Sequence, residues 1–394
     1  PVARSRPPGA APPVPFPRRP ATATKVPTAT REDPALAETA PDATDAAPRA
    51  PMFDPARPWQ FHVELTDKCN AGCPMCPRTD HLNGCTADRA KVFNVELTLD
   101  DLARHFDDAL CARTSDVILS GAYGDPIAAS QCLEIVEHLT RRGVRVAMST
   151  NGGLRRPDWW RRLGEAFRAS NSRLELHVDG LADTNALYRV HTRFDRIMAN
   201  AEAFLETGAE AEWHFILFRH NQHQLAEARA LSERMGFRAF VAIDSIRFSN
   251  APAFDYVLPT GERRTLEPPT IRVAETLGPG KADREDMGAI EPPRIGGISC
   301  KSIAVNRAYV SAHGIVSACC WMTGSEEEAA LHAAEGIDPD MRHNLHRRPL
   351  AEILADEPFA SVYARRWAAC DLETCRRKCG EARRNLRHRV AAAP

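Results

Sequence analysis

No apolar run in the chain approaches the roughly 20 residues that a membrane-spanning helix needs. The strongest stretch is the short WHFILF from Trp213 to Phe218, so a helical span is excluded on length. An excess of charge is also missing, because 51 Lys and Arg stand against 52 Asp and Glu in 394 residues, for a formal net charge of -1. Nucleic-acid binders carry a concentrated basic surplus, so neither nucleic acid nor an acidic surface is expected as a partner. No secretory signal is recognisable either, and a reducing compartment is expected in preference to one where disulfide frameworks form. The chain has room for two or three cores, and a soluble cytoplasmic protein is expected.

What the sequence does have is cysteine, twelve in all, gathered near Cys69 and again from Cys300 to Cys379. In a reducing compartment such groups read as metal ligands.

Residues 1–55 are rich in Pro and Ala. Half of the prolines, 15 of 30, fall in the first 58 residues, and no apolar periodicity survives among them. Such a segment cannot bury enough surface to offset its ordering entropy, so a disordered tail is expected. Its basic start, with Glu32 as the first acid, suggests a transit peptide, but the prolines break any amphipathic helix and favour a solvated tail.

From Trp59 onward, short strands alternate with helices. FHVELT (61–66), DVILS (116–120), VRVAMS (144–149), LELHVD (174–179), EWHFILF (212–218) and AFVAI (239–243) read as strands. Thr98 to Asp101 reads as a capping box, and Gly143, Gly208 and Gly236 fall where helices should end. Strand-helix alternation implies parallel strands with right-handed crossovers, as an open doubly wound sheet or a curved barrel. Ligands then collect at the C-terminal strand ends. The loops to read are therefore the cysteine loop, GAYGDP, TNGG, the DG after 174–179, and RHNQH. The expected division is a barrel over 56–250, a linker over 251–297 where Pro and Gly replace periodicity, and a second cysteine region over 298–386.

LTDKCNAGCPMCPR (65–78) offers Cys69, Cys73 and Cys76, one thiol short of a closed tetrahedral site. Cys85 or His81 could supply a fourth zinc ligand. Alternatively, three thiolates hold three irons of a [4Fe-4S] cube and leave one iron open. The C-x3-C-x2-C spacing after a first strand resembles the radical S-adenosylmethionine (SAM) superfamily, with Met75 where an aromatic residue is common. That resemblance implies a partial (β/α)6 TIM-like barrel in which SAM chelates the open iron through its amine and carboxylate.

Other loops resemble the same family in the same order. Gly124, Asp125 and Pro126 match its Gly-Glu-Pro segment, which meets the methionine ammonium. Ser149 and Asn151 match a Ser/Thr-Asn-Gly segment that meets the ribose and methionyl groups. Asp179 matches a fourth-strand Asp-Gly, and Arg189 an arginine facing the carboxylate, although Val190 replaces the Gly that usually follows it. The resemblance covers roughly residues 59–245. His214 reads as an interior histidine, whereas His220, Asn221 and His223 could line a substrate pocket; Trp159 and Trp160 should pack a helix.

The C-terminal cysteines resemble the auxiliary-cluster extension called SPASM in its two-cluster form and twitch in its one-cluster form. The thiols are too few for two clusters, so one auxiliary [4Fe-4S] cluster is expected on Cys300, Cys319, Cys375 and Cys379, with Cys370 or Cys320 as substitutes and a zinc ribbon as the alternative. Cys85, Cys111 and Cys132 should be inert. The resemblance implies reductive cleavage of SAM to a 5′-deoxyadenosyl radical, hydrogen abstraction from a peptide or small metabolite, and an external donor such as flavodoxin or ferredoxin. With no leader-binding domain recognisable, a peptide substrate would need a separate carrier. The competing readings are a non-catalytic zinc-thiolate interaction module and an electron-transfer protein.

Overall fold

The computed structural model describes residues 51–244, 246–248, 252–277, 281–282, 294–295, 298–369, 371–380 and 386–391. Its main sheet holds ten strands. In chain order these are β1 (Trp59–Val63), β2 (Thr114–Leu119), β3 (Arg145–Thr150), β4 (Arg173–His177), β5 (Glu210–Ile216), β6 (Ala239–Asp244), β7 (Lys281–Ala282), β8 (Arg307–Val310), β9 (Val316–Ser317) and β10 (Leu386–Ala391). Their spatial order is β7-β10-β6-β5-β4-β3-β2-β1-β8-β9. Strands β1 to β6 are the six expected from sequence and run parallel. With the helices between them they make the open partial barrel.

Alternation along each strand decides which side chains meet the helices. Phe61, Val63, Val117, Leu119, Val146, Met148, Leu174, Leu176, Trp213 and Phe215 all lie in one buried core. The crossovers are α1 (Leu99–Ala103), α2 (Cys132–Thr140), α3 (Pro157–Ser170), α4 (Phe194–Leu205) and α5 (Leu225–Met235). At α1 the capping box forms as expected, with Thr98 accepting from Asp101 N and Asp101 accepting from Thr98 N. Gly236 takes the left-handed conformation at the end of α5. Trp160 on α3 is fully buried and bonds Leu154 O through its indole N–H. Residues on the opposite strand face point into the lumen and are largely polar, including His62, Glu64, Ser149, Glu175, His177, Glu212 and His214.

Two boundaries differ from expectation. Residues 1–50 lie outside the described residues, but Met52 and Phe53, placed by sequence in the tail, are buried, and Met52 N bonds Phe359 O at 2.8 Å. Two apolar residues are too few to give a periodic signal. In the stretch expected as a linker, Phe254–Val257 pairs antiparallel with Arg263–Leu266 and buries Tyr256 and Leu266.

The C-terminal region begins with α6 (Lys301–Ala304) and contributes strands at both sides of the barrel. β8 pairs parallel with β1 and turns back as β9, whereas β10 pairs antiparallel with β6. Helices α7 (Glu326–Ala334) and α8 (Glu373–Cys379) belong to the same region.

Candidate functional site

Beyond β1 the chain enters the rim through Thr66, whose hydroxyl donates to Val95 O at 2.7 Å and accepts from Lys68 N at 3.2 Å. The cysteine loop then folds on itself. Cys76 N bonds Cys73 O, and Thr79 N bonds Cys76 O, each at 3.0 Å. Arg78 is buried and donates to Ala71 O at 3.2 Å, strapping the loop from inside. Sequence reasoning missed Arg78, although its place two residues after Cys76 was visible.

Two neighbouring loops reach the sulfurs. Asn151, just past β3, donates through Nδ2 to Cys69 Sγ at 3.6 Å. Arg189 donates through Nη1 to Cys73 Sγ, also at 3.6 Å. Backbone Ala71 N adds a bond to Cys69 Sγ at 3.3 Å. Donors aimed at sulfur favour thiolate over thiol and tune a metal centre bound there. Burial pushes the Cys69 and Cys76 thiols upward, helped by Cys73 at both and by Asp125 at Cys69, while Arg78 pulls the other way. Metal binding releases those protons.

The loop sits on an apolar floor. Ala71, Cys73, Tyr188, Val190, Ile216 and Phe218 form a buried cluster apart from the main core. Such a floor excludes water from the sulfurs and strengthens every electrostatic contact near them.

The residues expected around the cosubstrate converge on this rim, with roles set by their partners. Gly124 lies against the loop: a β-carbon there would stand 1.6 Å from Thr66 O, so only glycine fits. Asp125 turns its carboxylate inward, accepting from Thr150 Oγ1 at 2.7 Å, Asn151 N at 2.9 Å and Asn151 Nδ2 at 2.6 Å. It thereby fixes the loop that carries Asn151. Burial raises its pKa against the pull of those bonds. Pro126 opens a short helical turn capped by Asp125. Ser149 points into the lumen and donates to Glu175 Oε2 at 2.7 Å.

Asp179 is fully buried, takes Arg189 Nε at 2.6 Å and accepts from Ile216 N at 2.6 Å. The pair thus aims the Arg189 guanidinium at Cys73. Asn221 is scaffolding: its amide donates to Asp179 O and Ile216 O, each at 2.9 Å. His220 stacks on Phe218 with ring centroids 5.4 Å apart, and burial pulls its pKa down to about 4.

One buried carboxylate escaped the sequence reading. Glu64 Oε1 accepts from Tyr123 N at 2.6 Å and Gly124 N at 2.9 Å, while Oε2 accepts from Tyr309 Oη at 2.9 Å. A carboxylate just past β1 thus holds the Gly124 turn and ties it to β8. Alternation marked Glu64 as lumen-facing; its burial under a distant loop is tertiary.

Residues 63–228 match the model of the Radical SAM superfamily. That segment is a radical SAM domain. The AdoMet-dependent heme synthase of Methanosarcina barkeri is 28% identical over 207 residues, covering 52% of this chain and 55% of that protein. The AdoMet-dependent heme synthase of Nitratidesulfovibrio vulgaris is 25% identical over 215 residues, 54% of this chain and 52% of that one. The chain therefore spans about half the length of the curated relatives it matches. Streptococcus suis SuiB bound to S-adenosylmethionine shares the fold, with a TM-score of 0.50 at 12% identity over 78% of this chain and 68% of SuiB. No described helix is long and apolar enough to cross a membrane.

The donor set of the radical SAM domain suits a cluster better than a single ion. A zinc–sulfur bond of about 2.3 Å would hold sulfur pairs roughly 3.8 Å apart. Among the described residues, the Cys69, Cys73 and Cys76 sulfurs are not gathered within 4.8 Å of one another. Cys85, weighed as a fourth ligand, gives its thiol to Val257 O at 3.5 Å, and His81 packs on Phe254 with ring centroids 4.7 Å apart. Cys111 and Cys132 are buried in helices.

The second cysteine group also converges. Cys300 precedes α6, Cys319 follows the β8–β9 hairpin, and Cys375 and Cys379 lie one turn apart on α8. The Cys300 thiol is hydrogen-bonded with Cys379 and close enough to feel Cys319, while Cys319 feels Cys320 and Cys375. Gly314 turns the hairpin at φ 78°, where a β-carbon would meet the His346 ring at 2.9 Å. Cys370 lies outside the described residues.

Proposed function

We propose that the chain is an enzyme in which Cys69, Cys73 and Cys76 hold a [4Fe-4S] cluster with one iron left for S-adenosylmethionine. When bound, the cluster supplies one electron that splits the sulfonium, and the resulting 5′-deoxyadenosyl radical abstracts a substrate hydrogen. The observation that carries this reading is the trio of thiols in one loop at the C-terminal rim, with Asn151 and Arg189 each donating to a sulfur.

The chain's own residues hold geometry and exclude water. Glu64 fixes the Gly124 turn, whose backbone would meet the cosubstrate's amine; Asp125 sets Asn151, and Asp179 sets Arg189. The apolar floor keeps solvent from the sulfurs. Cys300, Cys319, Cys375 and Cys379 would hold one auxiliary [4Fe-4S] cluster that takes an electron from the substrate or binds it, with Cys320 beside them. An external one-electron donor such as flavodoxin or ferredoxin is required. The substrate is a peptide or a small metabolite; the names of the two relatives put a heme-forming reaction among the small-metabolite candidates.

The test is anaerobic reconstitution followed by iron and sulfide counting and addition of dithionite and S-adenosylmethionine. Formation of 5′-deoxyadenosine is expected, with roughly eight irons per chain. Replacing Cys69, Cys73 and Cys76 by Ala should leave roughly four irons and no 5′-deoxyadenosine. A variant that still makes it would overturn the assignment.

A further inference from the structure

Lower in the lumen, β4 and β5 carry donors that the reading above leaves unused. The strands pair in parallel with Glu175 beside Glu212 and His177 beside His214. Residues two apart share a strand face, so the four side chains form a two-by-two patch. Sequence held the signal, since Glu175 and His177 alternate with Leu174, Leu176 and Val178.

Part of this patch is already committed. His214 Nε2 meets Glu212 Oε2 at 3.2 Å, and Glu212 is also held by Arg389 from β10. Glu175 takes the Ser149 hydroxyl at 2.7 Å, and Arg173 approaches it only to 3.5 Å. What remains points to a ligand. His214 is 2% exposed, and its Nδ1 has no hydrogen-bond partner among the described residues. A buried polar atom without a partner costs about 1–3 kcal/mol. One ring nitrogen of each histidine and one Glu175 oxygen lie within 4.8 Å of one another, which no other three His, Cys, Asp or Glu residues achieve among the described residues.

Two imidazoles and a carboxylate suit borderline divalent ions of the first transition row, and three protein donors leave further coordination positions open. We propose that Glu175, His177 and His214 bind one divalent transition-metal ion in the barrel lumen, with Ser149 and Glu212 orienting Glu175 and His214. The ion lies on the wall beneath Asp179 and Arg189, where its free positions can anchor an oxygen or nitrogen of a bound substrate. This site shares no ligand with either cysteine group.

Cobalt(II) tests the proposal because its absorption and X-ray edge report the ligands directly. Reconstituted protein, with its two cysteine groups occupied by iron, is equilibrated anaerobically with cobalt(II) and passed through a desalting column. About one cobalt per chain is expected at unchanged iron, with nitrogen and oxygen neighbours in the extended X-ray absorption spectrum. His177→Gln and Glu175→Gln should each weaken retention at least about tenfold, ligands mattering no less than the partners that orient them. Circular dichroism and iron content check that the variants fold; if neither does, the wild-type absorption spectrum decides alone. No retained cobalt, sulfur neighbours only, or equal retention in folded variants would sink the proposal. Because the readout is cobalt ligation, the result stands apart from whether 5′-deoxyadenosine is made.

Discussion

A methyl group at Gly124 has nowhere to go, because the atom it meets is backbone on the cysteine loop itself. Gly124→Ala should weaken S-adenosylmethionine binding at least about tenfold by equilibrium dialysis, with the circular dichroism spectrum kept. Unchanged affinity would remove Gly124 from the cosubstrate rim. Asp125→Ala tests a different kind of contact. It strands buried donors on Thr150 and Asn151, each worth about 1–3 kcal/mol, so the melting temperature should fall by several degrees. A melting curve unmoved by the change would mean that water replaces the carboxylate. Gly124 and Asp125 were legible in the sequence as motif residues. Their partners were not: Thr66, Thr150 and Glu64 become neighbours only once three strands lie side by side.

Among the elements, α7 carries two groups with opposite pH dependence. Burial raises Glu328 from 4.5 to about 7, and burial with His343 lowers His332 from 6.5 to about 4. The contribution of His332 is complete above the unfolded value and drains as pH falls from 6.5 toward 4. That of Glu328 is complete below 4.5 and drains as pH rises toward 7. Each is worth up to about 3 kcal/mol. Glu328→Gln should therefore raise the melting temperature more at about pH 7.5 than at about pH 5, and His332→Gln should do the reverse. Equal offsets at both pH values would count against buried titration. At this scale the sequence is most readable where a pattern repeats, as in β1 to β6 and the Thr98 box. The hairpin 254–266 gave no signal, because Asp255, Glu262, Arg263 and Arg264 break up its apolar residues, of which Tyr256 and Leu266 are buried while Phe254 and Leu258 are partly so.

For the whole molecule, the partner of each outer strand comes from far along the chain. β10 covers β6 over six residue pairs, and its Arg389 holds the buried Glu212. Removing residues 381–394 should lower the melting temperature by several degrees, since a buried charge losing its partner alone costs about 3–5 kcal/mol. Self-association on gel filtration should accompany it, because the bared strand edge is a template for pairing. A monodisperse truncation of wild-type stability would show that β10 is dispensable. The parallel core could be inferred from strand-helix alternation, but no local pattern says that Arg307–Val310 lies beside Trp59–Val63.

The same pairing bears on how the protein is made. During translation both margins of the six-stranded core emerge long before the segments that cover them, β8 more than two hundred residues after β1 and β10 well over one hundred after β6. Until then the nascent chain offers two open templates to any neighbour on the polysome, a known route to aggregation. Low yield on rapid overexpression, relieved by slower synthesis or a chaperone holding those margins, is the outcome this arrangement dictates.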